Sequence, residues 1–164
     1  MSNHSAYRTF VDRLSKTKDS AREKSTKKRK NLGLRTAREN LDDLVDPGSF
    51  LEFGAFAVAA QRNRRDYEEL QLETSADGIL TGFCNINEDE VGEDNSHAAA
   101  IIYDYSVLAG SQGFFHHQKL DRICEKAEEF SLPVVIFTEG GGGRPGDTDV
   151  TTQIAGLHIP SFST

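Results

Sequence analysis

The chain has 164 residues, 37% of them hydrophobic and 9% aromatic, with a mean hydropathy of -0.52. That is enough for one domain with a real core and too little for two ordinary ones. No run of about 20 apolar residues occurs, and the N-terminus MSNHSAYRTF lacks the apolar stretch of a secretory signal, so a cytoplasmic protein with no membrane partner is expected. The net charge of -7 hides a division: residues 1–40 hold 12 Lys and Arg against 4 Asp and Glu, and the rest hold 7 against 22.

The chain therefore reads as a basic helical arm, residues 1–35, on an acidic body, residues 36–164. In the arm, Tyr7, Phe10, Val11 and Leu14 stand at helical spacing within residues 5–16 and call for a partner surface. The stretch KSTKKRKNLGLR (24–35) has no interleaved aromatics to stack on bases, which disfavours a nucleic-acid partner. A solvated helix and an anionic partner such as a nucleotide phosphate both remain open for it.

Thr36 with Glu39 forms a capping-box pattern ahead of Leu41, Leu44 and Val45, and Asp46-Pro47-Gly48 stops that helix. Phe50, Leu51 and Phe53 suggest a short strand. Residues 61–77 are polar and unpatterned, which suggests a surface loop or flap. Then ILTGFCNI (79–86) and HAAAIIYDY (97–105) read as neighbouring strands around a polar turn. Residues 111–130 carry Phe115, Leu120, Ile123, Ala127 and Phe130 near helical spacing, so a long helix is expected to start just after Gly110. Leu132–Thr138 reads as a further buried strand. Cys84 and Cys124 lie far apart in strand and helix contexts and are expected to be reduced packing residues, with no metal site.

That last strand runs straight into EGGGGRPGD, residues 139–147. Serial glycine is tolerated where φ is positive or where something approaches the main chain closely. Residues 141–146 match G-x-G-x-x-G, but Pro145 removes a donor where a phosphate-binding helix would open, and no P-loop motif is present. An oxyanion hole of glycine N–H groups and a flexible surface loop are the other readings.

Four blocks carry a resemblance: ARENLDDLVDPGSFLEFG (37–54), DGILTGFCNI (77–86), YSVLAGSQGFFHHQKL (105–120) and LPVVIFTEGGGGRPGD (132–147). Together, in this order, they resemble the N-terminal part of the biotin-dependent acyl-CoA carboxylase carboxyltransferase subunits of the propionyl-CoA and methylcrotonyl-CoA type. The resemblance implies an α/β, crotonase-like (ClpP/crotonase) β-β-α superhelix, here incomplete, with residues 36–164 as a partial N-terminal domain on the acyl-CoA side. It implies transfer of a carboxyl group from carboxybiotin to the α carbon of an acyl-CoA, with the enolate held by the N–H groups of Gly141 and Gly142. Gly140 and Gly143 flank them as substrate-binding positions. Ala109, Gly110 and Gly113 either let CoA approach the start of the long helix or pack that helix tightly. Arg35 and Arg38 are candidates for the CoA phosphates by charge alone, whereas Arg144 is expected to brace the loop against a carboxylate. Biotin is expected on a partner carrier, with a biotin carboxylase and a homo-oligomer of carboxyltransferase subunits as further partners. The acetyl-CoA branch with its four-cysteine zinc ribbon is disfavoured, and the chain alone is expected to be inactive. A crotonase-type hydratase, isomerase or decarboxylase, with Glu139 or Asp147 as its carboxylate, and a non-catalytic assembly module are the alternatives.

Overall fold

The computed structural model describes residues 3–150. In chain order the elements are α1 (Asn3–Ser15), α2 (Glu23–Asn31), α3 (Ala37–Leu44), β1 (Leu51–Phe53), α4 (Tyr67–Glu73), β2 (Ile79–Asn85), the single turns α5 (Glu88–Val91) and α6 (Glu93–Ser96), β3 (His97–Tyr103), α7 (Phe114–Glu129) and β4 (Val134–Phe137). The strands form one sheet in the order β1-β2-β3-β4, antiparallel at the first two junctions and parallel at the third. A parallel junction needs a crossover connection, and α7 supplies it.

Period-two alternation in β3 sends Ala99, Ile101 and Tyr103 to one face with Leu120, Ile123 and Ala127 of α7. Ala98, Ala100 and Ile102 go to the other, with Ala37 and Leu41 of α3. With both faces covered, the strand needs apolar residues throughout, which is why its sequence runs AAAIIY without polar interruption. The expected capping box holds α3 at its start. The Glu39 N–H donates to the Thr36 hydroxyl at 3.1 Å, and the Thr36 N–H to the Glu39 carboxylate at 2.8 Å. Both cysteines are free, as anticipated, with Cys84 buried. Burial pushes the Cys84 thiol up to about 11. Among the described residues no helix is long and apolar enough to cross a membrane.

Four expectations need correction. Residues 61–77 are not a loose flap: Asp66 caps α4 by accepting from the Glu68 N–H at 2.8 Å, Leu70 is fully buried, and Ser75–Gly78 form a buried turn. Their polar composition reflects ion pairs such as Arg65 with Glu69 and Glu73. The long helix begins only at Phe114, because Ser111 and Gly113 are extended and Gln112 between them is bridged to the glycine loop. The last strand is not buried, since Val134, Ile136 and Phe137 stay exposed on β4.

The arm, finally, is not solvated all round. Arg22, Thr26 and Arg29 share one buried face of α2, and Lys24, Lys27, Lys28 and Lys30 point outward. Arg22 pairs with Asp104 at 2.8 Å and donates to the Ser106 hydroxyl at 3.0 Å and the Leu72 carbonyl at 2.9 Å. Arginine can be buried there because each of its three nitrogens finds an acceptor. On α1, Phe10 meets the Phe56 ring edge-on at 5.7 Å, while Tyr7 and Val11 remain exposed. Arg13 also anchors this helix, donating to the Phe56 carbonyl at 3.0 Å and to the Tyr67 hydroxyl.

Candidate functional site

Beyond the carboxyl ends of the parallel strands β3 and β4, two chain segments run side by side, in the place where open α/β sheets hold ligands. The Gln112 N–H donates to the Gly142 carbonyl at 2.8 Å, and the Arg144 N–H to the Gln112 carbonyl at 2.8 Å. The two backbones touch: a Cβ on Gly110 would lie 2.3 Å from the Glu139 carbonyl oxygen, and one on Gly140 2.9 Å from that of Gly110. Gly110 and Gly140 carry no side chains because each packs on the other's segment.

The loop is fixed on its C-terminal side by Arg144, which is buried. Its guanidinium pairs with the Asp77 carboxylate and with Asp147 at 3.5 Å, and it donates to the Ser111 carbonyl at 2.7 Å and hydroxyl at 3.2 Å. The same two carboxylates cap α7. Asp147 accepts from the Phe114 N–H and Asp77 from the His116 N–H, each at 2.8 Å. A helix N-terminus favours negative charge, and this one takes it from the protein's own aspartates. Asp77 reaches it through a left-handed φ of 50°, between Ala76 at 54° and Gly78 at 76°. The segment after the glycines is tied down as well. The Asp149 carboxylate accepts from the Arg62 and Asn63 N–H groups at 2.7 and 2.8 Å, and Gln61 donates to Asp147 at 3.1 Å.

On the N-terminal side of the glycines, Arg29 of α2 grips Glu139 with both terminal nitrogens, at 2.9 and 2.8 Å. Its Nε donates to the Arg35 carbonyl at 2.8 Å, and its guanidinium lies over the Tyr105 ring, 5.6 Å from the centroid.

Beneath the loop, the first turns of α7 carry buried titratable groups. His116 donates from Nδ1 to the Asp77 carbonyl at 3.3 Å and meets Tyr103 edge-on at 4.6 Å, leaving its Nε2 without a partner among the described residues. Burial, reinforced by His117, pushes its pKa down to about 3. Burial likewise lowers His117, so both imidazoles are neutral at ordinary pH. Lys119 donates to the Ala76 carbonyl at 2.9 Å and to that of Ile79, and its complete burial pushes the ammonium down to about 8.

The expected site residues divide into groups. Gly140, Gly141, Gly142 and Gly143 are exposed on one surface with Ala109. The N–H groups of Gly140, Gly141 and Gly142 donate to no acceptor among the described residues. Gly142 takes a φ of 83° with open space where a Cβ would stand. Gly110 and Gly113 are buried, and a Cβ on Gly113 would fall 2.2 Å from an Arg144 nitrogen, so both are glycine to admit their own chain. Arg38 is committed to Glu52, both oxygens at 3.1 Å, and to the Thr17 carbonyl at 2.8 Å. Arg35 reaches Asp43 at 2.6 Å on the exposed surface, and its side chain is committed there. Glu139 and Asp147, the candidate carboxylates of the hydratase alternative, are both engaged by arginines.

Arg144 does pair with a carboxylate as expected, but sequence reasoning missed its main partner. The signal for Asp77 was present, an Asp-Gly turn pair directly before a strand. Arg29 offered no such signal among the neighbouring lysines.

Residues 28–157 match the family model for the carboxyl transferase domain. The biotin-dependent long-chain acyl-coenzyme A carboxylase beta4 subunit of Mycobacterium tuberculosis is 32% identical over 83% of this chain and 23% of its own length. The propionyl-CoA carboxylase beta chain of Roseobacter denitrificans is 31% identical over 68% of this chain and 20% of its own. Among solved structures, a single-chain, multi-domain long-chain acyl-CoA carboxylase matches with a TM-score of 0.87 and 48% identity, over 96% of this chain and 15% of that one. The transcarboxylase 12S hexamer, with methylmalonyl-CoA bound, matches with a TM-score of 0.72 at 24% identity, over 99% of this chain and 28% of that one, a likeness of fold. The chain thus spans between 15% and 28% of the length of these proteins, and its β-β-α sheet is that of the crotonase-like carboxyltransferases. With most of its length matched by the family model, the chain belongs to the carboxyl transferase domain family.

Proposed function

We propose that residues 36–164 form the acyl-CoA side of a biotin-dependent acyl-CoA carboxyltransferase, with residues 1–35 as an arm packed on it. In this reading the thioester oxygen sits against the glycine loop, where the N–H groups of Gly141 and Gly142 receive it. One observation carries the reading: a stretch of exposed backbone N–H groups with no acceptor among the described residues, held rigid by arginine pairs at both ends. Removing a proton α to the thioester puts negative charge on that oxygen. Donors already aimed at it need no reorganisation, and one such donor is typically worth about 10²–10³ in rate.

Ala109, Gly140 and Gly143 line the approach, and Gly110 and Gly113 serve by letting the two segments close up. Carboxybiotin supplies the carboxyl group when it is present. None of this chain's described residues is assigned to hold it, and it belongs to a partner carrier working with a biotin carboxylase. Neutral His116 and His117 keep additional positive charge away from the loop, and no side chain here acts as a nucleophile. In this reading the described residues supply the thioester site. The setting is cytoplasmic, the assembly a homo-oligomer of carboxyltransferase subunits.

Calorimetric titration with propionyl-CoA, with free CoA as control, tests the reading. The parent chain should bind the thioester at least about tenfold more tightly than CoA, a difference of ~1.4 kcal/mol. Gly142→Val, whose branched side chain cannot hold a φ of 83°, should abolish that preference. Equal affinity for both ligands would refute the thioester role.

A further inference from the structure

One arginine of the basic arm reaches the glycine loop directly. Arg29 is buried although it belongs to one of the most basic stretches of the chain. It binds both oxygens of Glu139, the residue directly before the glycines, and its third nitrogen is held by the Arg35 carbonyl. Two parallel hydrogen bonds fix the orientation of a carboxylate as well as its distance. The Glu139 carbonyl, in turn, is the atom packed against Gly110. The grip therefore extends from α2 through Glu139 to the contact between the two glycine segments. Arg22, bound to Asp104, Ser106 and the Leu72 carbonyl, fixes the other end of α2, so the helix cannot slide.

We infer that Arg29 is a positioning residue for the thioester loop: by holding Glu139 in one orientation it sets the direction of the N–H groups that follow. This rests on the reading of the loop as the thioester site. The arm thus acts on the acyl-CoA site without touching the ligand. A lysine replaces Arg29 only in part, because a point charge on a flexible stem does not fix the carboxylate's orientation as the planar fork does.

The test uses the isotopically labelled whole chain with Arg29→Ala, Arg29→Lys, Glu139→Gln and the Arg29→Ala/Glu139→Gln double variant. Amide exchange at Gln112 and Arg144, whose N–H groups close the bridge between the segments, reports on the loop. Amides of β2 and β3 report on the fold. In Arg29→Ala, exchange at Gln112 and Arg144 should rise at least about fivefold relative to β2 and β3, with the signals of Gly140–Gly143 displaced. Arg29→Lys should fall between parent and alanine, and the double variant should add nothing to either single one. Propionyl-CoA affinity should drop by a similar factor. Unmoved glycine signals, or acceleration that is uniform across loop and sheet, would overturn the inference. A parent chain that fails to bind propionyl-CoA refutes the thioester reading instead, and the exchange pattern then decides separately whether Arg29 orients the loop.

Discussion

Two arginines hold the glycine loop, and they differ in almost every respect. Arg144 and its partner Asp77 have side chains 4% and 0% exposed, with further bonds to Asp147 and Ser111. Arg29 is 8% exposed, but its partner Glu139 is 41% exposed. A buried pair that loses one member leaves an uncompensated charge in a medium that cannot solvate it. A pair with one wet member loses far less, because water screens the charge left behind. The C-terminal anchor therefore belongs to the stability of the domain, while the N-terminal grip can fail without unfolding it. That difference makes Arg29 suited to setting loop geometry and Arg144 suited to holding the helix, strand and loop together.

The comparison can be broken most forcefully at the buried end. Arg144→Ala strands Asp77 and Asp147 and should destabilise the fold by about 3–5 kcal/mol, measured by urea unfolding. A loss no larger than that of Arg29→Ala would erase the distinction between the two ends.

A smaller effect, near 2 kcal/mol, should come from acid. His116 stays neutral in the fold down to about pH 3, while the unfolded chain takes up its proton near 6.5. The folded state thus binds fewer protons, and stability falls as pH drops through 6.5 and onward to about 3. Each unit is worth about 1.4 kcal/mol, so pH 5 should cost this group ~2 kcal/mol relative to pH 7. His116→Phe, which keeps a ring against Tyr103, should lose correspondingly less over that interval. An unchanged acid slope would show that His116 is hydrated and not sealed beneath the Arg144 anchor.

The smallest effect is expected at Arg35. Its side chain pairs with Asp43 in the open, 58% and 64% exposed, whereas Arg29 uses only its carbonyl. Arg35→Ala should change stability by less than about 1 kcal/mol and leave propionyl-CoA binding untouched in the calorimeter. A marked loss of binding would mean that its charge, and not only its backbone, serves the site.

Much of the β-β-α unit was legible because its signals are local. The alternation in β3, the Thr36–Glu39 capping box and the abrupt change from β-favouring residues to glycine each lie within a few consecutive positions. Segment 61–77 was misread for the opposite reason. Its order comes from Leu70 entering the core and from ion pairs, neither of which shows as periodicity. The start of α7 was misplaced because residues 111–113 are held extended by the bridge from Gln112 to the glycine loop, a contact distant in sequence that no local pattern encodes. At the site, the loop was recognisable but its supports were not. Asp77 and Arg29 act through partners far along the chain, and burial of Arg29 among exposed lysines follows from Glu139 and Tyr105, which no local pattern brings to it.

The sequence separation of the Arg29–Glu139 pair, 110 positions, has a consequence for the order of events during synthesis. At about 5–20 residues per second, α2 emerges from the ribosome roughly 5–20 seconds before its acceptor exists. Through that interval the Arg29 guanidinium lacks the carboxylate that it grips in the fold, and only the arrival of Glu139 supplies it. The setting of the glycine loop thus waits on one late carboxylate, and any polyanion that met the arm first would compete with it, a competition that salt in a cell-free translation would tip towards the carboxylate.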